Sequence, residues 1–359
     1  PVPMRSICMS SRRAVCGPLR SALVAGCRCN SSSSSGGSRK PPDKVNGYAG
    51  ASNIASAQVF AVPLNNQGQP SEEQDETGET VFEGYKASTA ATAYFDVSTA
   101  AEKSGQPFIF ILRSDSNTTQ RCEIVSGCGE VPYLGALSYD EGQPLELRAG
   151  VGSIANDMRI HVNWLTHLAS AVAYTHYIDD QSADLNQPST PTAGVYSAYR
   201  IEFGNLWVSR LLDVGDVIAV QPLSPSQLSQ ATQMNSAGLT QSIAQGALVA
   251  SAQQLAVQQQ LSVPQWLNQL IDQMLNDGGQ LPEKSDDARI SRFDIYQAAY
   301  QLLADNIDYQ RSLQSQLPAE VDDALQWLAQ KRDAQQSAQL TQVSVSSADV
   351  GLWLDSLAN

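Results

Sequence analysis

Charge is scarce in this chain and unevenly distributed. Only 16% of its 359 residues are Asp, Glu, Lys or Arg. Eight of the 22 basic residues (Arg5, Arg12, Arg13, Arg20, Arg28, Arg39, Lys40 and Lys44) fall in the first 44 positions. That leaves 14 bases against 35 acids over residues 45–359, a net charge of −21. So acidic a body repels phosphate backbones, which argues against nucleic acid as a partner. From Val217 to Ile271 there is no Asp, Glu, Lys, Arg or His. That stretch is built of Ala, Ser, Gln, Leu and Val, with Ser242, Gly246 and Ala250 at i, i+4 and i+8. It reads as a central helix packed on most sides, since small residues admit close backbone approach and an uncharged helix buries no ions. A surface that docks on a partner is the other reading. Gln253, Gln254, Gln258, Gln259 and Gln260 would need hydrogen-bond partners in lipid, which disfavours insertion. No run of about 18 apolar residues occurs anywhere, so no transmembrane helix is predicted.

Catalytic signatures are missing too. There is no nucleophile elbow, P-loop, H-E-x-x-H or paired C-x-x-C. Gly150-Val151-Gly152-Ser153-Ile154-Ala155 has the letters of a dinucleotide fingerprint, but a strand-like segment follows it instead of a helix. It reads as a hairpin connection. Histidines number only three, His161, His167 and His176. They lack the i, i+4 spacing of a helical metal site, even with Asp179 and Asp180 nearby. Glu72, Glu73, Asp75, Glu76 and Glu79 lack the ligand spacing of a dedicated calcium loop and read as a solvated acidic turn. No metal or other cofactor is expected, and no enzymatic activity.

What is present is organised around Met158–Ala173. Met158, Ile160 and Val162 alternate with polar residues, the period of a half-buried strand. Leu165, Leu168, Ala169, Val172 and Ala173 then follow the period of a helix face. Asn163 sits at the change, where a helix N-cap is wanted. The stretch Asn163, Trp164, Leu165 and Thr166 is therefore the predicted domain junction. Before it lie short strand-like runs at Ala57–Val62, Val81–Lys86, Thr92–Val97, Phe108–Arg113, Gln120–Val125 and Leu145–Ala149, with Met158–Val162 the last. Turn residues separate them, the pattern of a β-sandwich over 45–163. After the junction nearly everything is helical. A domain over 164–317 is predicted, followed by a helical tail over 318–359. Tyr196, Tyr199, Phe203 and Trp207 form an aromatic stripe read as core. Ser262-Val263-Pro264 and Ser347 read as helix starts. The fold class is thus α+β with two domains, sandwich then helical bundle.

Four of the six cysteines, Cys8, Cys16, Cys27 and Cys29, lie in the basic leader, and Cys122 and Cys128 lie in the body. The latter pair suits a small disulfide loop in an oxidising compartment, or two reduced thiols in the cytosol. Residues 1–44 read as a signal-like leader and a disordered Ser-rich tether, Asn30 to Gly37. Leu23-Val24-Ala25-Gly26-Cys27 resembles the lipobox of bacterial lipoproteins, which implies lipidation at Cys27. Ala57-Gln58-Val59-Phe60-Ala61 with the turn Asn65 to Gly68, Ala93-Tyr94-Phe95-Asp96-Val97, the loop Arg121-Cys122 to Gly127-Cys128-Gly129, and Val162 to Ala169 are similar to motifs of a family of bacterial envelope proteins. These open with an Ig-like or carboxypeptidase-regulatory-like (transthyretin-type) sandwich joined to helices. The resemblance implies an Ig-like antiparallel sandwich, a lipid anchor facing the periplasm or cell surface, and little chemistry. Three function classes follow: a non-enzymatic envelope protein with a structural, display or binding role; a carbohydrate- or peptide-binding module using sandwich edges or end loops; and an enzyme whose site is assembled from scattered residues.

Overall fold

The computed structural model describes residues 43–74, 80–82, 84–139, 142–175, 195–233, 237–284, 289–337 and 343–357. The chain is mixed α and β. Its strands are β1 (Asp43–Tyr48), β2 (Ile54–Ala55), β3 (Gln58–Pro63), β4 (Glu72–Gln74), β5 (Thr80–Phe82), β6 (Tyr85–Ser88), β7 (Tyr94–Thr99), β8 (Phe108–Arg113), β9 (Thr119–Arg121), β10 (Ala136–Ser138), β11 (Glu146–Val151) and β12 (Met158–Arg159). The α-helices are α1 (Trp164–Tyr174), α2 (Ala198–Leu211), α3 (Leu239–Gln258), α4 (Val263–Asn276), α5 (Arg292–Ser312), α6 (Ala319–Ser337) and α7 (Ser347–Leu357). A 3-10 segment, Pro225–Gln233, precedes α3.

Among the described residues the strands form four sheets, ordered β12-β1-β7, β11-β8-β3-β6, β10-β9-β2 and β4-β5. β8 is central because it can be: Phe108 to Leu112 are all fully buried. Phe108, Phe110 and Leu112 join the main core, while Ile109 and Ile111 face a smaller cluster with Phe60, Val62, Ala173, Tyr196 and Ile201. Residues of α1 and α2 thus cover one face of this sheet. The main core runs without a break from Val45 in β1 to Val350 in α7. All described residues belong to one compact unit. The segment read as a tail takes part in it, since Val321, Ala324, Leu328 and Val350 are fully buried.

Several expectations shift in detail. β1 begins at Asp43, inside the stretch read as leader and tether, and no strand was expected there. Gly47 in β1 explains why that signal is easy to miss. A Cβ there would lie 1.7 Å from the Ile160 carbonyl oxygen, so the position needs glycine for a close parallel approach. The fingerprint-like Gly150-Val151 ends β11, and Gly152 follows in a bend. It is not a hairpin connection. The chain crosses to another sheet, where β12 runs parallel to β1 with Val45 opposite Met158. The aromatic stripe divides, because Ser197 caps α2 and leaves Tyr196 outside the helix. Tyr196 joins the smaller cluster, whereas Phe203 and Trp207 enter the main one. The cap of α7 is Ser346, whose Oγ accepts from the Asp349 amide at 3.2 Å.

The uncharged segment becomes the buried α3. Its residues Leu239, Ile243, Ala247, Leu248, Ala250, Leu255 and Ala256 are all buried. At Gly246 the close approach is to the irregular chain around Leu223 and not to a second helix. A Cβ on Gly246 would lie 1.8 Å from the Leu223 carbonyl oxygen, and Leu223 N–H donates to the Ser242 carbonyl at 2.9 Å. No described helix is long and apolar enough to cross a membrane.

Candidate functional site

The junction is built as a joint. Residues 160–162 continue parallel to β1, with Ile160 N–H on Asn46 O (2.9 Å) and Val162 N–H on Tyr48 O (3.0 Å). Asn163 then caps α1. Its Oδ1 accepts from the amides of Leu165 (2.9 Å) and Thr166 (3.2 Å), and Thr166 Oγ1 accepts from Asn163 N–H at 3.0 Å. This is a complete capping box, and it leaves no free residue between strand and helix. Trp164 and Leu165 are buried at 2% and 0% exposure. The Trp164 indole N–H is shared between the carbonyls of Leu248 (3.1 Å) and Val249 (3.0 Å) in α3, and its ring meets Trp266 edge-on at 5.7 Å. These residues fix architecture and line neither of the clefts described below.

Cys122 and Cys128 stand at disulfide distance, with Sγ atoms 2.00 Å and Cα atoms 5.9 Å apart. Their loop is clamped by α3. Gln253 Nε2 donates to Arg121 O at 2.9 Å and Gln253 Oε1 accepts from Glu123 N–H at 2.9 Å, so one carboxamide pairs with the loop as a neighbouring strand would. Glu123 is fully buried. Its carboxylate accepts from Arg121 Nε (3.0 Å), Ser224 Oγ (2.6 Å) and Ser226 N–H (2.9 Å), while its carbonyl accepts from Asn306 of α5 (2.9 Å). A buried charge survives only when paired and hydrogen-bonded on this scale. Nothing in the sequence marks Glu123, Gln253 or Asn306. The one hint is a polar residue on an otherwise apolar helix face. Cys27 lies outside the described residues, as do His176, Asp179 and Asp180.

Beside this loop a cleft of about 380 Å³ opens between β9, β10 and the turn joining α3 to α4. Its polar lining comes from Gln120, Ser138, Tyr139, Gln143, Gln253, Gln260 and Ser262, and no described residue lining it is charged. Tyr139 Oη donates to Gln120 Oε1 at 2.5 Å, which leaves Gln120 its two N–H donors. Burial pushes the Tyr139 hydroxyl well above the ordinary tyrosine range, so it remains a neutral donor. Ser262, the N-cap of α4, donates to Gln143 Oε1 at 3.1 Å and ties the helical turn to the strand side. Leu137, Ala256, Val257 and Val263 supply apolar floor. At the rim Gln260 holds a left-handed backbone, φ +57°, a conformation a non-glycine residue keeps only where its surroundings enforce it. β10 is an edge strand, with Ala136 and Ser138 exposed.

A second cleft, about 190 Å³, gathers Arg159, Glu202, Asp216 and Trp353. Burial raises the carboxyl pKa of both Glu202 and Asp216. Both are nonetheless occupied in holding the fold. Glu202 accepts from Gly152 N–H (2.7 Å), Asn205 Nδ2 (3.3 Å) and Trp353 Nε1 (3.0 Å), and Asp216 accepts from the amides of Ile218 (2.8 Å) and Ala219 (3.1 Å). Neither His161 nor His167 is among the residues that line it, although the His161 amide donates to the Ile218 carbonyl at 3.0 Å beside it. His161 Nδ1 accepts from Tyr48 N–H (3.2 Å), and His167 Nδ1 from Arg148 N–H (3.1 Å), so each imidazole completes the hydrogen bonding of a strand. Among the described residues no group of three or more His, Cys, Asp or Glu is placed to hold a metal ion. No protein-family model matches the chain, and comparison with curated proteins and with solved structures finds no match to it.

Proposed function

We propose that this chain is a non-enzymatic binding module of the bacterial cell envelope, lipid-anchored through Cys27, and that it holds a neutral glycan in the cleft beside the Cys122–Cys128 loop. The observation that carries the reading is the cleft's lining: amides and hydroxyls over an apolar floor, with no charged group among the described residues. Sugars offer both donors and acceptors and carry apolar ring faces. A site for them needs oriented neutral polar groups, such as the Gln120–Tyr139 pair, and gains nothing from net charge. The disulfide supports an oxidising compartment, and the Ser-rich stretch after Cys27 suits a tether. In this reading the sheets descend from an Ig-like sandwich over 45–163, packed on a helical domain over 164–317 and a tail over 318–359.

Calorimetric titration of the chain with neutral trisaccharides, and in parallel with an uncharged hexapeptide, tests the assignment. Saccharide binding that falls about tenfold in Tyr139→Phe, which unfastens Gln120, is the expected result. If the peptide binds and no saccharide does, the edge of β10 is the site and the glycan assignment is wrong. If neither binds, the cleft is not a binding site.

A further inference from the structure

Two buried amides line the cleft beside the Cys122–Cys128 loop, and they are used differently. Gln253, 1% exposed, spends both ends of its carboxamide on the loop backbone. Gln120, 7% exposed, spends only one. β9 fixes its backbone between Leu137 of β10 and Ile54 of β2. Its Oε1 accepts from the Tyr139 hydroxyl at 2.5 Å. Its NH₂ has no partner among the described residues, and it is not sealed from solvent as the unpaired atoms of the interior are. The other glutamines of the lining, Gln143 and Gln260, are exposed. The cleft therefore holds one donor that is both oriented and open. A ligand that fills the cleft displaces the water serving this donor, so it must bring an acceptor in exchange.

The geometry points to a 2-acetamido sugar as the occupant, an assignment that rests on the neutral-glycan reading and narrows it. The acetamido group carries a carbonyl acceptor and a methyl on one planar unit. Its carbonyl meets the Gln120 NH₂, and its methyl adds apolar area against the floor of Leu137, Ala256, Val257 and Val263. Ser138 and Gln260, exposed at the rim, offer acceptors for its N–H. A plain hexose has neither the amide carbonyl nor the methyl, and a deoxyhexose has the methyl alone. An amino sugar sets an ammonium donor against a donor. A carboxylate brings an acceptor but finds no cation among the described residues lining the cleft, in a body that is itself acidic.

The test is calorimetric titration of the full chain with chitotriose and cellotriose, trimers of one linkage that differ in bearing an acetamido group or a hydroxyl at the same carbon. Chitotriose should bind at least about tenfold more tightly. Gln120→Glu keeps an acceptor for Tyr139 and removes the NH₂, so it should abolish that preference while cellotriose still binds. Equal binding of the two trimers to the unaltered chain, or tighter binding of cellotriose, would overturn the acetamido assignment and leave the glycan reading standing. If neither trimer binds but another neutral trisaccharide does, the acetamido assignment alone is wrong. If no saccharide binds, the glycan reading fails and takes this inference with it. The comparison on the unaltered chain decides the matter even if Gln120→Glu does not fold.

Discussion

Trp164 is the residue on which most of the joint depends. It is at once the first residue of α1, a donor to two carbonyls of α3 and the edge-on neighbour of Trp266. Trp164→Ala removes all three roles and opens a cavity, so urea unfolding should show a loss of about 3 kcal/mol or more. A loss below about 1 kcal/mol would mean the indole is dispensable there. The two buried histidines predict a pH response. Burial lowers the pKa of His161 to about 3 and of His167 to about 4, against about 6.5 unfolded. Each contributes stability fully present above the unfolded value, and that stability is lost as pH falls towards the folded one. Protonation would also abolish the acceptor that Tyr48 and Arg148 amides use. Denaturation midpoints should therefore fall between roughly pH 6.5 and 4. Glu202 works the other way. Burial raises its pKa, so its share of stability is greatest below about pH 4.3 and declines as pH rises through the folded value. A midpoint that stays flat from pH 6.5 to 4 in the native chain would contradict the histidine assignment.

At the scale of elements, α3 decides what the cleft looks like. It packs against residues from several other helices and, through Gln253, against the disulfide loop. The loop is thus held twice, covalently and by the carboxamide. Replacing both Cys122 and Cys128 with serine should cost about 2 kcal/mol by loop entropy, lowering the denaturant midpoint without unfolding the chain. Gln253→Leu should cost at least as much, since it strands the buried Glu123 amide at about 1–3 kcal/mol and leaves the Arg121 carbonyl only the long bond from Asn53 Nδ2, 3.4 Å. Were the serine variant the less stable of the two, the clamp would be the minor fastening. That α3 would be a buried helix was legible, because a helix without ions can only be surrounded by protein or lipid. That Gln253 would grip a loop far away in sequence was not. An amide on a helix carries no mark of which backbone will pass it.

The described residues form one body, because an apolar core reaches from β1 to α7. Heat or urea should unfold it in one transition, and brief proteolysis of the native chain should spare residues 163–166. Two separated transitions, or cleavage at the junction, would show strand and helical parts folding independently. A chain beginning at Asp43 should keep β1 whole and remain in solution without detergent, since each of α1 to α6 buries apolar residues in the core and no described helix is long and apolar enough to cross a membrane. Partition of that chain into vesicles would mean that membrane contact does not depend on the leader.

Residue periods and single-residue chemistry were enough to read strands before position 163 and helices after it. They also identified the Asn163 cap, the central β8 and the buried uncharged helix, because each is set within a few neighbouring positions. β1 escaped that reading, since Asp43 and Gly47 take two of its three inward positions and blur the alternation, and only the passing Ile160 carbonyl accounts for the glycine. The core shared by strands and helices escaped it for a similar reason: periodicity says which face of an element is apolar and nothing about which distant face will cover it. The Glu123 network and the Gln120–Tyr139 pair belong to that second category. Their chemistry arises from residues far apart in the chain that meet only in the folded state, where burial removes water and leaves each polar group dependent on whatever the packing brings beside it.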